Sequence, residues 1–265
     1  MGTVVLRCYA ELNDFLPRTQ RNTTIAVSCA GHETVKNLVE SLGVPHPEIA
    51  ALLANGEPVG FGYLVRPGDR VEVYPVSTVP DTPLFPLRPP LTTFRFILDA
   101  HLGRLAAYLR MLGFDTLYRN DYDDPELARL AHDEQRILLT RDVGLLKRSL
   151  VTHGYFVRTT VPVQQIGEIV QRFNLRSLVT SFQRCIRCNG LTRPVEKAAI
   201  AHLLAAKTRQ YFDRFWQCQE CGQIYWRGSH YARMQQLTEQ VLCQTDEISP
   251  SLPVTSDERR EMCDA

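Results

Sequence analysis

Residues 94–119 read FRFILDAHLGRLAAYLRMLGFDTLYR, and residues 136–150 read RILLTRDVGLLKRSL. Each begins with a short apolar run that closes on a carboxylate, Asp99 in the first and Asp142 in the second, before a helical pattern takes over. In the first of these helices Leu102, Leu105, Ala106, Leu109 and Leu112 share one face, the spacing of a buried stripe. Short apolar runs alternating with amphipathic stretches predict right-handed βαβ crossovers and a parallel central sheet covered on both faces. The segments FDTLYR, PELARLAHDEQ, YFVRTT and VPVQQIGEIVQRFN continue the alternation, so residues 94–180 are expected to form an α/β domain.

The placement of the two acids matters. Open α/β sheets put their ligands at the C-terminal edge of the strands. Adjacent strands lie about 4.8 Å apart, so carboxylates at neighbouring strand ends can share one ion or a pair of ions. A third acid, Asp124, precedes Pro125, which fits the first position of a helix, and Asp124 is therefore expected to be its N-cap. A cap residue beside the strand edge can also face the cleft, and Glu126 is a weaker candidate for the same work. Three carboxylates suit Mg²⁺ or Mn²⁺, hard cations that take oxygen ligands and keep several waters. Asp115, Asp121, Asp123 and Asp133 fall in expected turns or on a solvated helix face. Arg104, on the polar face of the first helix, is a candidate phosphate contact, and His101 stands two positions beyond Asp99.

Outward from this domain, residues 1–76 read as strand, strand, helix, strand, strand. The strands are VVLRCYA, TTIAVS and the stretches around Ala51–Leu53 and Arg70–Pro75. The helix is TVKNLVESLG, with Val35, Leu38, Val39 and Leu42 on one face, and NGEPV and RPGD read as turns. This order suggests a small α+β domain of the β-grasp type. Six prolines between Pro75 and Pro90 prevent regular ladders, and residues 77–93 are expected to be a stiff connector.

Toward the other end, Cys185 and Cys188 form one CxxC pair, and Cys218 and Cys221 form another. Two such knuckles supply four thiolates to one tetrahedral, structural Zn²⁺, and Asn189-Gly190 and Gly222 provide the tight turns that follow each pair. Residues 181–234 are thus expected to be a zinc ribbon with a long insert. Residues 181–233 carry nine Lys and Arg against three Asp and Glu, a local net charge of +6, whereas 234–265 carry two against seven, or −5. Aromatics interleave with the basic residues, a mixture suited to RNA, with Arg187, Arg209, Trp226 and Arg227 the leading contacts. Residues 235–265 are expected to be an acidic, disordered tail. Cys8, Cys29, Cys243 and Cys263 lack CxxC partners, and the first two are expected to be buried. No apolar stretch of about 18 residues exists to span a membrane, and the N-terminus lacks a secretory pattern, so a cytoplasmic location is expected.

Two resemblances add to this reading. AELNDFLP, TVKNLVESLGVPHPEI and PGDRVEVYPV resemble the ubiquitin-like sulfur carriers of thiamine and molybdopterin synthesis. Those carriers end in a Gly-Gly that is activated, whereas this chain runs on into VSTVPDTP, so an interaction or stabilising module is expected in place of sulfur transfer. FILDAHLGRLAAYLRMLGFDTLY, DDPELARLA, ILLTRDVGLL, the CxxC pairs and YWRGSHYARM together resemble the Mut-seven C-terminal RNase domain family, a variant of the PIN nuclease fold with an appended zinc ribbon. The front module resembles the ubiquitin-like domain that often precedes it. The resemblance implies acidic metal ligands at Asp99, Asp124 and Asp142, with Arg141 beside the last. The expected function is a metal-dependent ribonuclease, an endonuclease, whose partners are RNA and a protein recruited by the β-grasp module. The alternative is a noncatalytic RNA- or ribosome-binding adaptor.

Overall fold

A computed structural model describes residues 2–81, 84–229, 231, 232 and 236. Apart from residue 236, the expected acidic tail, with Cys243 and Cys263, lies outside the described residues. In chain order the strands and helices are β1 (Gly2–Cys8), β2 (Thr24–Cys29), α1 (Val35–Ser41), β3 (Ala51–Ala54), β4 (Glu57–Pro58), β5 (Arg70–Tyr74), β6 (Phe96–Leu98), α2 (Gly103–Met111), β7 (Thr116–Tyr118), α3 (Asp124–Asp133), β8 (Ile137–Thr140), α4 (Val143–Leu146) and β9 (Gly154–Phe156). They continue with α5 (Pro162–Arg172), β10 (Thr192–Val195), α6 (Lys197–Ile200), α7 (Ala206–Tyr211), β11 (Phe215–Cys218) and β12 (Ile224–Trp226). The chain forms two compact units, one of residues 1–101 with 119–156 and one of residues 102–118 with 157–265.

In the first unit, β1 to β5 form a mixed sheet in the order β2-β1-β5-β3-β4. β1 runs antiparallel to β2 and parallel to β5, and β3 is antiparallel to both β5 and β4. Alternation along β1 and β5 sends Val4, Leu6, Val71 and Val73 into the core, where Val35, Leu38 and Val39 of α1 meet them. Thr34 caps α1 by accepting from the Asn37 amide at 3.2 Å. Asn55 and Gly56 both take positive φ, 53° and 87°, which the two-residue turn joining β3 to β4 requires. Cys8 and Cys29 are buried, as their strand positions imply.

The same unit contains β6, β8 and β9, parallel to one another in that order. Every residue of β6 and β8 is buried, the signature of strands covered on both faces. α3 packs on β6 and β8 through Leu127, Ala128 and Ala131. Buried polar groups join the N-terminal sheet domain to this layer. His46 bridges Glu40 Oε1 and the Val151 carbonyl, each at 2.7 Å, and Glu48 accepts from the Phe156 amide at 2.6 Å. Lys147 Nζ donates to the Glu40 carbonyl at 2.7 Å. In the proline-rich connector, Arg88 donates to the carbonyls of His46, Pro47 and Ile49, and Leu87 packs on the sheet domain's core.

In the second unit α2 packs against α5, burying Leu105 and Leu109 on one side and Ile166, Ile169 and Val170 on the other. β10, β11 and β12 form a three-stranded antiparallel sheet. The long insert between the CxxC pairs supplies β10, α6 and α7. No described helix is long and apolar enough to cross a membrane.

Candidate functional site

Asp99 follows directly on β6, and its amide donates to the Leu139 carbonyl of β8 at 3.1 Å, so the parallel ladder itself sets its position. Asp142 lies two residues beyond β8. Between the two sits Thr140, wholly buried, whose hydroxyl donates to Asp99 Oδ2 at 2.8 Å and accepts from the Asp142 amide at 2.9 Å. Asp142 Oδ1 accepts from the amides of Gly144 and Leu145 at 2.6 and 3.2 Å, so this acid caps α4. An open cleft of about 410 Å³ is lined by Asp99, His101, Asp124, Arg141, Asp142, Val143 and Gly144.

The capping expectation for Asp124 is corrected. The N-cap of α3 is Asp123, whose Oδ1 accepts from the Glu126 amide at 2.8 Å, and both Asp124 and Pro125 lie inside the first turn. Proline tolerates either early position, because the first turn's amides have no intrahelical acceptor. The adjacent acid therefore takes the cap, and the Asp124 carboxylate faces the cleft, with Arg148 Nη2 at 3.7 Å from its Oδ2. Glu126 lies 4.0 Å from Arg119 and does not line the cleft. Arg141 stands over the Phe156 ring at 6.0 Å. Arg104 is exposed on α2.

Among the described residues, only the four cysteines bring three or more His, Cys, Asp or Glu ligand atoms within 4.8 Å of one another. The aspartate oxygens thus line one cleft without converging on a single point.

In the second unit, Cys185 Sγ lies 3.6 Å from Cys221 Sγ, and Cys188 Sγ lies 3.4 Å from Cys218 Sγ. Metal–sulfur bonds of about 2.3 Å give a tetrahedron with edges of about 3.8 Å, so the four sulfurs can hold one metal ion. The two knuckles repeat one geometry. Cys188 N and Cys221 N each approach the first sulfur of their pair at 3.5 Å. Asn189 and Gly222 each close the turn with a φ of 71°. Burial would raise the Cys185 thiol, but the Tyr225 hydroxyl at 3.0 Å and the Cys188 amide outweigh it and bring it to about 7. Burial, together with its crowded neighbours, pushes Cys188 up to about 12. Four thiols packed this closely resist joint ionisation, and a bound cation removes that penalty.

Phe215, on β11, is buried. Arg187 and Trp226 line a second concavity of about 420 Å³, with Arg227 exposed and 5.8 Å from the Phe182 ring. Arg209 is exposed on α7 and does not line this concavity.

Residues 94–238, more than half of the chain, match the family model of the Mut7-C RNAse domain. The chain belongs to the Mut7-C RNAse domain family. Its residues 1–81 match the Mut7-C ubiquitin domain, so the N-terminal sheet domain is ubiquitin-like. The crystal structure of H. volcanii small archaeal modifier protein 1 is similar at 21% identity over 28% of this chain and 98% of its own, with a TM-score of 0.24. None of the curated proteins matches the chain.

Three groups in the Mut7-C region escaped the sequence reading. Thr140 reads as one more β-branched strand residue; its bond from the Asp142 amide is local, and only the register of β6 on β8 brings its hydroxyl to Asp99. Arg148 lies in an exposed stretch whose meeting with Asp124 is tertiary. Arg110 sits on the apolar side of α2 and is almost fully buried. It donates to the carbonyls of Thr116, Ile186 and Arg187, fastening the first knuckle from behind. Burial disfavours its charge, while Cys185, Cys188 and Asp115 restore part of it. Asn189 completes this clasp, accepting from the Thr116 amide and donating to Asp115 at 2.9 and 2.8 Å.

Proposed function

We propose that this Mut7-C protein is a metal-dependent ribonuclease with a PIN-like catalytic domain and a zinc ribbon that helps to hold RNA. The observation that carries the reading is the single cleft lined by Asp99, Asp124 and Asp142 at the C-terminal edge of parallel strands. The three carboxylates would hold Mg²⁺ or Mn²⁺, which when bound supplies Lewis-acid stabilisation of charge on a phosphodiester and its attacking water. Asp99 is oriented by Thr140 and Asp142 by two backbone amides, so both present a fixed face. Arg148, beside Asp124, and Arg141 and His101, on the rim, are placed to meet phosphate oxygens. The thiolate set favours Zn²⁺ as the structural ion.

The domain limits that accompany this reading are 1–76 for the ubiquitin-like module, 77–93 for the connector, 94–180 for the nuclease domain and 181–234 for the ribbon. The ubiquitin-like module is proposed to recruit a protein partner, and cleavage is proposed to be endonucleolytic.

The spread of the carboxylate oxygens favours a second reading, a noncatalytic RNA-binding adaptor. One experiment separates the two. The zinc-loaded chain is incubated with single-stranded and structured RNAs in Mg²⁺ or Mn²⁺, beside Asp142→Asn and Asp124→Asn. Asparagine is as good an N-cap as aspartate, so Asp142→Asn removes charge while keeping α4. Cleavage by the wild type, reduced about a hundred-fold or more in each variant, supports the nuclease; that factor corresponds to roughly 3 kcal/mol of lost charge stabilisation. Binding without cleavage in either metal, or cleavage indifferent to both substitutions, refutes it.

A further inference from the structure

We propose that the 420 Å³ concavity beside the ribbon is a pocket for one unpaired nucleobase of RNA. The proposal rests on the RNA reading given above and adds what part of the RNA is bound, and in what state. The volume falls in the range of roughly 300–1,000 Å³ typical of small-ligand sites.

The lining is aromatic and cationic together. Tyr225, Trp226 and Tyr231 supply ring surface beside the apolar Met111, Ile186 and Ile224, Phe182 backs them, and the charged side chains among the described lining residues are Arg184 and Arg187, with no carboxylate. A purely apolar partner would need no such charge, whereas a nucleotide needs both a face for its base and a cation for its phosphate.

The platform is already assembled. Phe182 lies stacked between Trp216, at 4.1 Å and 9°, and Tyr231, at 4.4 Å and 24°. Its backbone takes a φ of 60°, a left-handed conformation uncommon for a bulky residue, and the Thr192 hydroxyl holds it by donating to its carbonyl. Such held conformations cluster at ligand clamps. Arg184 is anchored by Nη1 on the Asn189 carbonyl at 3.1 Å and by Nη2 on Asp115 at 3.5 Å. Its buried Nε–H has no acceptor among the described residues. Two contacts thus fix the cationic guanidinium in the pocket wall. A base held this way is removed from any duplex, so the pocket selects single-stranded RNA.

The chain's two tryptophans report on this site, since Trp226 lines the pocket and Trp216 stacks on Phe182. The test uses the zinc-loaded full chain carrying Asp142→Asn, so that the RNA stays intact. It is titrated with a short oligouridylate, with the same strand annealed to oligoadenylate, and with an abasic ribose-phosphate oligomer of equal length. The expected result is a change in tryptophan emission with the single strand alone. Trp226→Ala should weaken single-strand binding about ten-fold and leave abasic binding unchanged, the loss expected for one stacked base. Trp226→Phe should restore most of the affinity, and zinc content verifies that each variant has folded.

Equal affinity for the single strand and the abasic oligomer, with unchanged emission, overturns the pocket. If the wild type still cleaves RNA in that case, the nuclease reading stands without it. An emission change that follows protein concentration, or appears only with an apolar peptide, overturns it in favour of a protein occupant. Failure to bind or cleave any RNA removes the nuclease reading and this one together.

Discussion

Replacing Thr140 by valine tests the proposed role of the acidic cleft without touching a carboxylate. The side chain is fully buried, and valine is close to it in size, so the substitution removes the hydroxyl without opening a large cavity in β8. Two hydrogen bonds go with it, one to the Asp99 carboxylate at 2.8 Å and one from the Asp142 amide at 2.9 Å. A hydrogen bond to a charged group contributes about 1.5–3 kcal/mol and a neutral one about 1 kcal/mol. Asp99 is partly exposed and regains water, so the net loss of stability should be about 1–3 kcal/mol. Function should suffer more than folding, because Asp99, which lines the cleft, loses the hydrogen bond that fixes its carboxylate. Loss of a group that orients a metal ligand typically lowers metal affinity about 10–100-fold. Urea unfolding of the zinc-loaded chain gives the stability term, Mn²⁺ titration gives the affinity, and Thr140→Ser should restore both. Should Mn²⁺ affinity and RNA cleavage stay within about two-fold of wild type while stability falls, Asp99 is not held for metal binding by Thr140, and the role assigned to that hydroxyl is wrong.

Removing one thiol of the four-cysteine cluster by Cys188→Ala should abolish tight metal binding and leave the segment carrying β10 to β12 open to proteolysis, because an ion held by the four sulfurs would supply much of that fold's stability. Metal content by mass spectrometry and limited digestion check this; a variant that stays metal-free yet protease-resistant would show that the sulfurs are structurally dispensable. Glu48→Ala leaves the Phe156 amide without the carboxylate that it meets at 2.6 Å in a buried setting and should cost about 1–3 kcal/mol in urea unfolding. Hydrogen exchange should rise together in β9 and in the ubiquitin-like sheet, and a rise confined to one of them would mean that this contact does not couple the two.

Much of the fold was legible because its signals are local. The period-two alternation in β1 and β5, the stripe of α1 and the Asn55-Gly56 turn each depend on a few neighbouring residues, and together they define the ubiquitin-like module. The apolar runs of β6 and β8 were equally plain, since a strand buried on both faces has no polar position to disguise it. The knuckles were readable for another reason. A CxxC turn places two sulfurs near one point by covalent geometry, so the sequence fixes half of each site before folding begins.

The acidic cleft was legible only in part. Its strand-end acids follow from where the apolar runs stop, but Asp123 and Asp124 are neighbours with the same chemistry ahead of the same proline. Which of them caps α3 was settled by the helix's start, one residue earlier than the pattern suggested. Asp142 showed the opposite confusion, reading as a strand end and also serving as a cap.

By itself, then, the sequence determined the strands β6 and β8, the ubiquitin-like module, the four-sulfur site and the family, each of which rests on spacing along the chain. The tertiary structure alone decided that residues 119–156 cohere with the N-terminal residues, through His46 and Glu48 on the backbone of Val151 and Phe156. It alone brought the Thr140 hydroxyl to Asp99, placed Arg148 beside Asp124 and put Arg110 behind the first knuckle. Each of these joins groups far apart in the chain, and a hydrogen bond between distant residues leaves no periodicity for a sequence to display.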